Sequence, residues 1–258
     1  MKIGLGQINC EVGEVELNSA KICNLIAEAS KGGCEVAVFP EMSDTGYVVN
    51  VIADTASDLA GYPSTAIAKA AADYKIWVCC GLSEREGSNI YNSVLVFSPK
   101  GKITAKYRKL HLFPLSGETS CFAEGSQIVT TEIAGQIWGL SICFDLRFPE
   151  LYRGLVLSGA TILLNCTAWP SSRASHWRTL MTARAIENQA ICVGVNRAGT
   201  DGEMEFCGNS LVIAPDGREI FCADTSSEGL SVVEFAPELI AINRRDFPAL
   251  SSRRNDIF

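Results

Sequence analysis

The chain has 258 residues, 47% hydrophobic and 20% charged, which suits one sizeable domain with a buried core. A net charge of −7 and the lack of a basic tract argue against general attraction to nucleic-acid phosphates. No apolar run approaches the roughly 20 residues of a membrane span, and the amino terminus passes directly into a strand pattern without a signal peptide, so a cytoplasmic protein is expected.

In chain order, residues 2–9 and 35–39 read as buried strands, with a helix over 19–31 between them. A helix over 63–74, opened by Pro63 and Ser64, precedes a strand over 76–82. Residues 90–98 and 102–107 flank Ser98-Pro99-Lys100-Gly101 as a hairpin, and 127–133 with 136–143 form a second. Helix 149–158, strand 161–166, helix 173–189 and strand 191–196 then alternate. A third hairpin turns at Pro215-Asp216-Gly217 between 208–214 and 218–222, and a strand over 230–235 leads to a short helix and a polar tail. No linker or repeat divides the chain. The pattern implies a mixed sheet system covered by helices, and leaves a doubly wound sheet and a two-sheet sandwich both open.

Eleven cysteines is an odd number, and no CxxC spacing occurs. Most lie in apolar runs such as Trp77-Val78-Cys79-Cys80, and so read as reduced core thiols rather than a disulfide framework. With only His111 and His176, a structural zinc site is not expected.

Three segments carry chemistry. Gly139–Ile142 is an apolar strand that delivers Cys143 to its end, just before a helix announced by Pro149. Free N–H groups in an opening turn favour a thiolate and a neighbouring oxyanion, although a cysteine there also reads as one more buried thiol. Glu35–Phe39 is a second apolar run that stops at Pro40 and leaves Glu41 at the strand end. Lys106–Phe113 is a basic cluster containing Lys109. Each is weak alone, since strands commonly end in acids and basic clusters commonly face solvent. Together they supply a carboxylate, an ammonium and a thiol, the parts needed for acyl transfer from an amide. In that scheme Glu41 moves the proton, and Lys109 with the Phe144 N–H stabilises the oxyanion.

A histidine-based cysteine hydrolase is the rival scheme. On an extended strand His111 would share the face of Lys109, whereas His176 suits a core or interface role. Asp145 and Arg147 read as scaffold, the first satisfying backbone N–H groups and the second pairing with a buried acid. Glu187 reads as a scaffold partner too. As residues alone, Glu118 in Leu115–Ser120 is a solvated loop glutamate, and Glu124 sits at a turn.

Phe39-Pro40-Glu41, Tyr107–Phe113 and Cys143-Phe144-Asp145-Leu146-Arg147-Phe148-Pro149-Glu150 resemble the three catalytic motifs of the nitrilase superfamily of carbon–nitrogen hydrolases, in order and spacing. Lys2–Gln7 and Ala183–Gln189 resemble further family segments, so the likeness runs from Lys2 to about Phe235. The resemblance implies one α/β domain over 1–258, a four-layer α-β-β-α sandwich with a core at about 2–235. It also implies a homodimer or higher homo-oligomer, with the tail 236–258 in the interface and an apolar stripe from Leu151, Leu155 and Val156, which core packing explains equally well. The catalysis that the resemblance implies needs no metal or organic cofactor.

Many relatives carry a second glutamate that orients the lysine, so the resemblance makes Glu118 the fourth site residue. The nitrile-hydrolysing signature Cys-Trp-Glu is absent. Cys143–Glu150 and Asn165-Cys166-Thr167-Ala168-Trp169-Pro170 are closer to the Nit-type and ω-amidase branch, which hydrolyses short dicarboxylate monoamides. Trp169 could wall the pocket and Arg173 grip a substrate carboxylate, or the first cap the core and the second face solvent. An N-carbamoyl amine, deaminated glutathione, or a non-catalytic scaffold role are the alternatives.

Overall fold

A computed structural model describes residues 1–202, 204–225, 227–254 and 256–257. The elements in order are β1 (Lys2–Gln7), α1 (Val15–Lys31), β2 (Val36–Phe39), α2 (Val49–Thr55), α3 (Ser64–Tyr74), β3 (Trp77–Glu86), β4 (Asn89–Phe97) and β5 (Ile103–Arg108). Next come the single turn α4 (Glu118–Cys121), β6 (Thr130–Ile133), β7 (Gln136–Ile142), α5 (Pro149–Leu157), β8 (Ile162–Thr167), α6 (Ala174–Asn188) and β9 (Ile191–Asn196). The short hairpin β10 (Thr200–Asp201) and β11 (Met204–Glu205), then β12 (Leu211–Ile213), β13 (Glu219–Cys222), β14 (Gly229–Glu234) and α7 (Glu238–Asp246) complete the chain.

Two six-stranded sheets run β14-β1-β2-β3-β4-β5 and β13-β12-β9-β8-β7-β6. Alternation along each strand splits its residues between two faces. In β2, Val36 and Val38 join Ile3, Leu5, Val94 and Val96 in a core shared with Leu140, Leu164 and Val193 of the other sheet. Ala37 and Phe39 face the opposite way, under Ile22, Leu25, Ile26 and Ala29 of α1 and Ile67, Ala70 and Ala71 of α3. Those helix residues recur at the three- and four-residue spacing of one face. On the second sheet α5 and α6 approach closely because glycines face them. A Cβ on Gly139 would lie 2.9 Å from Leu155 Cβ, and one on Gly194 would lie 2.5 Å from Trp177 Cζ2. The layers are therefore α-β-β-α, which decides between the two sheet systems left open by pattern.

Pairing follows one scheme in both sheets: an antiparallel edge, two parallel pairs, then two antiparallel pairs. This topological repeat is invisible in the residues, because only burial parity is repeated. Helix α1 begins four residues before the expected start, with no side-chain cap at Glu14 to mark it. Helix α2 buries only Ile52, so it left no periodic signal. Leu151, Leu155 and Val156 are buried within the chain, so the expected interface stripe is core packing instead. All eleven cysteines are free, eight of them buried.

Candidate active site

The parallel strands end on one side of the sandwich, and their ends supply the site. Glu41 lies just past β2, Cys143 follows β7 and Ala168 follows β8, while Lys109 follows the antiparallel β5. Glu41, Lys109 and Glu118 are 0%, 1% and 0% exposed. Lys109 Nζ donates to Glu41 Oε1 at 2.8 Å and to Glu118 Oε1 at 2.7 Å. Asn92 Nδ2 donates to Glu41 Oε1 at 2.7 Å and reaches Glu118 Oε1 at 3.4 Å. Glu41 Oε2 accepts the Ala168 N–H at 2.8 Å. Glu118 also accepts from the Tyr47 hydroxyl at 2.6 Å and the Phe113 N–H at 2.6 Å.

Burying each of these charges costs several kcal/mol, and mutual attraction repays that only with good geometry. Similar-sized apolar side chains would serve stability as well or better, so the cluster points to chemistry. Burial alone would depress the Lys109 pKa, but Glu118 and Glu41 outweigh it and hold the ammonium well above its usual range. Burial raises the Cys143 pKa, Glu41 raises it further, and Lys109 and Thr167 only partly oppose them. Both raising effects favour the thiol over the thiolate, against the pull of the opening turn expected from sequence. Among the described residues the buried Thr167 hydroxyl has no hydrogen-bond partner.

Cys143 opens a 3-10 turn, Cys143–Arg147, and the α-helix starts only at Pro149. Its φ of 43° lies in the left-handed region, at a cost of about 1–3 kcal/mol for a residue with a Cβ. Asp145 pins this turn. Its Oδ2 accepts the Ile142 N–H at 3.0 Å and the Tyr107 hydroxyl at 2.6 Å. Its Oδ1 accepts the His111 N–H at 3.0 Å and lies 2.7 Å from His111 Nδ1. Asp145 therefore satisfies backbone N–H groups as expected.

Above the thiol opens a cavity of about 450 Å³ lined by Cys143, Phe113, Phe144, Trp169, Met204 and Tyr47, among others. Arg147 and Arg173 also line it, with Glu205. Trp169 is buried, and its indole N–H donates to the Arg173 carbonyl at 2.8 Å, so it both caps the core and walls the pocket. The expected buried acid for Arg147 is absent among the described residues. Tyr107 and His111 occupy the carboxylate two residues before it, Asp145. The Arg147 guanidinium instead lies 4.9 Å from the Trp169 ring and 5.7 Å from that of Phe144. Arg173 lies 5.8 Å from the Phe113 ring, also without a carboxylate.

Neither histidine lines the pocket. Strand β5 ends at Arg108, so the shared-face expectation for His111 fails, and its ring stacks on Phe148 at 3.7 Å. His176 is exposed, with Nδ1 3.5 Å from the Arg147 guanidinium, which removes the core half of its expected core-or-interface role. Glu124 is exposed, and Glu187 pairs with Arg184 at 2.9 Å as a scaffold partner. Sequence reasoning missed Asn92 and Tyr47. Asn92 left a usable signal, a polar residue on the same strand face as Val94 and Val96. Tyr47 left none.

The family model for carbon-nitrogen hydrolases matches residues 2–244. The chain belongs to that family. A 2-oxoglutaramate amidase of Bacillus subtilis (strain 168) is 31% identical over 253 residues, covering 98% of this chain and 97% of that protein. The carbon–nitrogen hydrolase from Xanthomonas campestris, solved with an arsenic adduct in its active site, superposes with a TM-score of 0.92 at 27% identity, covering 99% and 97% of the two chains. A glutamate-to-glutamine variant of the amidase from Nesterenkonia sp. AN1, whose active-site cysteine carries the Michael adduct of acrylamide, gives a TM-score of 0.88 at 25% identity, covering 100% and 98%. These likenesses place this carbon–nitrogen hydrolase in the Nit-type and ω-amidase branch of the nitrilase superfamily. Among the described residues no helix is long and apolar enough to cross a membrane, and no cluster of three metal-ligating side chains occurs.

Proposed function

We propose that this carbon–nitrogen hydrolase is a thiol amidase acting on the terminal amide of a short dicarboxylate. The observation that carries the reading is a thiol beneath two guanidiniums that have no carboxylate partner among the described residues, beside a buried carboxylate–ammonium–carboxylate set. Glu41 Oε1 already accepts two donors and Oε2 one, so Oε2 keeps the lone pair that takes the Cys143 proton. The sulfur attacks the amide carbon. Lys109 spends two N–H bonds on Glu41 and Glu118 and turns the third to the oxyanion, with the Phe144 N–H. Collapse expels ammonia, which carries the proton returned by Glu41. Water, deprotonated by Glu41, then cleaves the thioester and releases the acid.

Lys109→Ala is expected to lower kcat by about 10²–10³, the usual loss for one oxyanion donor. It also leaves Glu41 and Glu118 facing each other unneutralised, so the melting temperature falls as well. A variant within threefold of wild type in ammonia release would remove Lys109 from this role. Arg147→Ala tests the carboxylate grip. A charge-assisted hydrogen bond contributes about 1.5–3 kcal/mol, so KM for 2-oxoglutaramate or succinamate is expected to rise at least tenfold. KM for a neutral aliphatic amide should not change, and an equal rise for both substrates would mean lost packing, not lost recognition.

The test of the whole reading is intact-protein mass spectrometry during turnover of 2-oxoglutaramate, succinamate, a short aliphatic amide, an N-carbamoyl amine and a nitrile, with ammonia followed in parallel. An acyl adduct on Cys143 with the dicarboxylate monoamides supports it. An adduct with the N-carbamoyl amine alone moves the substrate class, and no adduct with any points to a scaffold.

A homodimer through the second sheet's helices belongs to the same proposal, the carboxy-terminal tail included. Leu157 of α5, Ile186 of α6 and Phe247 beyond α7 are 57%, 50% and 67% exposed, an apolar set that a partner copy would cover. Eleven free thiols suit a reducing, cytoplasmic location.

A further inference from the structure

Outside the catalytic cluster, Arg197 and Asp201 form a second buried ion pair that the proposed mechanism does not use. Asp201 Oδ2 accepts from Arg197 Nη1, and Oδ1 accepts from Nη2 at 2.9 Å. Arg197 Nη2 also donates to the Cys10 carbonyl at 3.1 Å, and the guanidinium lies 4.4 Å from the Phe206 ring. The pair sits at the base of the β10–β11 hairpin, whose Met204 and Glu205 line the pocket. The hairpin returns beside the pocket wall, where the Cys207 N–H donates to the Trp169 carbonyl at 3.0 Å.

The remaining contact of Asp201 leads into the site. Its Oδ2 accepts the buried Tyr47 N–H at 2.6 Å. Tyr47 is thus a strut held at both ends, its backbone by Asp201 and its hydroxyl on Glu118 Oε1 at 2.6 Å. The same Glu118 oxygen holds Lys109 at 2.7 Å. An apolar pair could secure the hairpin equally well, but only an acceptor can satisfy the Tyr47 N–H.

We propose that Asp201, locked by Arg197, is a positioning residue for the reaction, acting through Tyr47 and Glu118 to set the Lys109 ammonium. The chain of contacts runs from the pocket-wall hairpin to the ammonium through three side chains, Asp201, Tyr47 and Glu118, so the wall and the oxyanion donor are placed together. Displacing such a donor by about 1 Å costs on the order of 10²-fold in rate. The role rests on the proposed parts of Glu118 and Lys109.

Asp201→Asn tests it. Either orientation of the new amide sets its NH₂ against a donor, Tyr47 N–H or Arg197, without changing side-chain size. Two readouts are taken on folded protein: ammonia release, and the rate at which iodoacetamide alkylates Cys143, followed on the Cys143 peptide. The second needs no knowledge of the substrate. The expected result is at least a tenfold fall in kcat and in alkylation rate, with KM within threefold. In a Tyr47→Phe background, where the hydroxyl link is already cut, Asp201→Asn should cost less than threefold more. A lower melting temperature with kcat and alkylation within threefold of wild type overturns the proposal, as does full additivity with Tyr47→Phe. If Asp201→Asn yields no folded protein, Arg197→Lys decides by the same comparison, with a three- to tenfold fall expected. If wild type releases no ammonia from any amide but the alkylation cycle still shows coupling, the amidase reading fails and the positioning role stands.

Discussion

Cys143→Ala is expected to bring ammonia release below detection while leaving the fold intact. The proposed reaction passes through a bond to this sulfur, and the two groups beside it, Glu41 and Lys109, are a proton carrier and a cation that cannot replace it. The other ten thiols offer no substitute, because Cys143 is the one in the pocket lining. Structurally the change is small. Alanine inherits the positive φ, which cysteine already bears, and loses one sulfur from a buried site. A loss of about 1 kcal/mol would shift the melting temperature by about 2–4 °C in a chain of this size. The checks are an ammonia assay, a thermal melt, and intact mass, where no acyl adduct should appear with any substrate. Retained turnover in a variant of wild-type stability would mean that the sulfur is not the nucleophile.

The fold was legible where burial leaves a periodic trace. Strands β2 and β7 are apolar runs that stop at a proline or a turn, and α1 and α3 bury residues at helical spacing. The site was legible in part because three of its residues lie just past strand ends, Glu41, Lys109 and Cys143, within recognisable motifs. What stayed hidden depends on partners distant in sequence. By its sequence neighbours Glu118 is a surface glutamate, and the family resemblance alone marks it as a site residue; in the fold α4 turns it onto Lys109, Tyr47 and the Phe113 N–H. Tyr47 and Glu118 are 71 residues apart, and nothing local to either announces the other.

Arg147 shows the opposite failure. The sequence reads it as pairing with a buried acid, but Asp145, two residues before it, is taken by Tyr107 and His111, and the guanidinium lines the pocket. Among the described residues no carboxylate pairs with this guanidinium, and only the fold reveals that it faces the cavity. The topological repeat was hidden for a related reason, since strand order and pairing sense leave no mark on any single residue.

Glu41→Gln is expected to lower kcat/KM by about 10²–10⁴, the range for a general acid–base group, and to change how the rate depends on pH. The buried cluster tolerates the change better than the loss of Lys109. With Glu41 neutral, Lys109 and Glu118 still pair, and the three-group cluster goes from one net negative charge to none. The amide cannot accept the Cys143 proton, so attack must wait for the small fraction of thiolate formed by ionisation. Burial, the largest influence on that thiol, still raises its pKa once the raising effect of Glu41 is gone, against the lowering effect of Lys109. A thiol that must ionise before attack reacts in proportion to its thiolate fraction, which rises about tenfold per pH unit below its pKa. The variant's log(kcat/KM) should therefore climb with a slope near one between about pH 7 and 9, while wild type, with its base in place, varies far less. A profile for Glu41→Gln parallel to wild type and within threefold of it would show that another group takes the proton. A profile that climbs with unit slope from a rate reduced a thousandfold would identify Glu41 as the group that makes a buried, protonated cysteine act as a nucleophile at neutral pH.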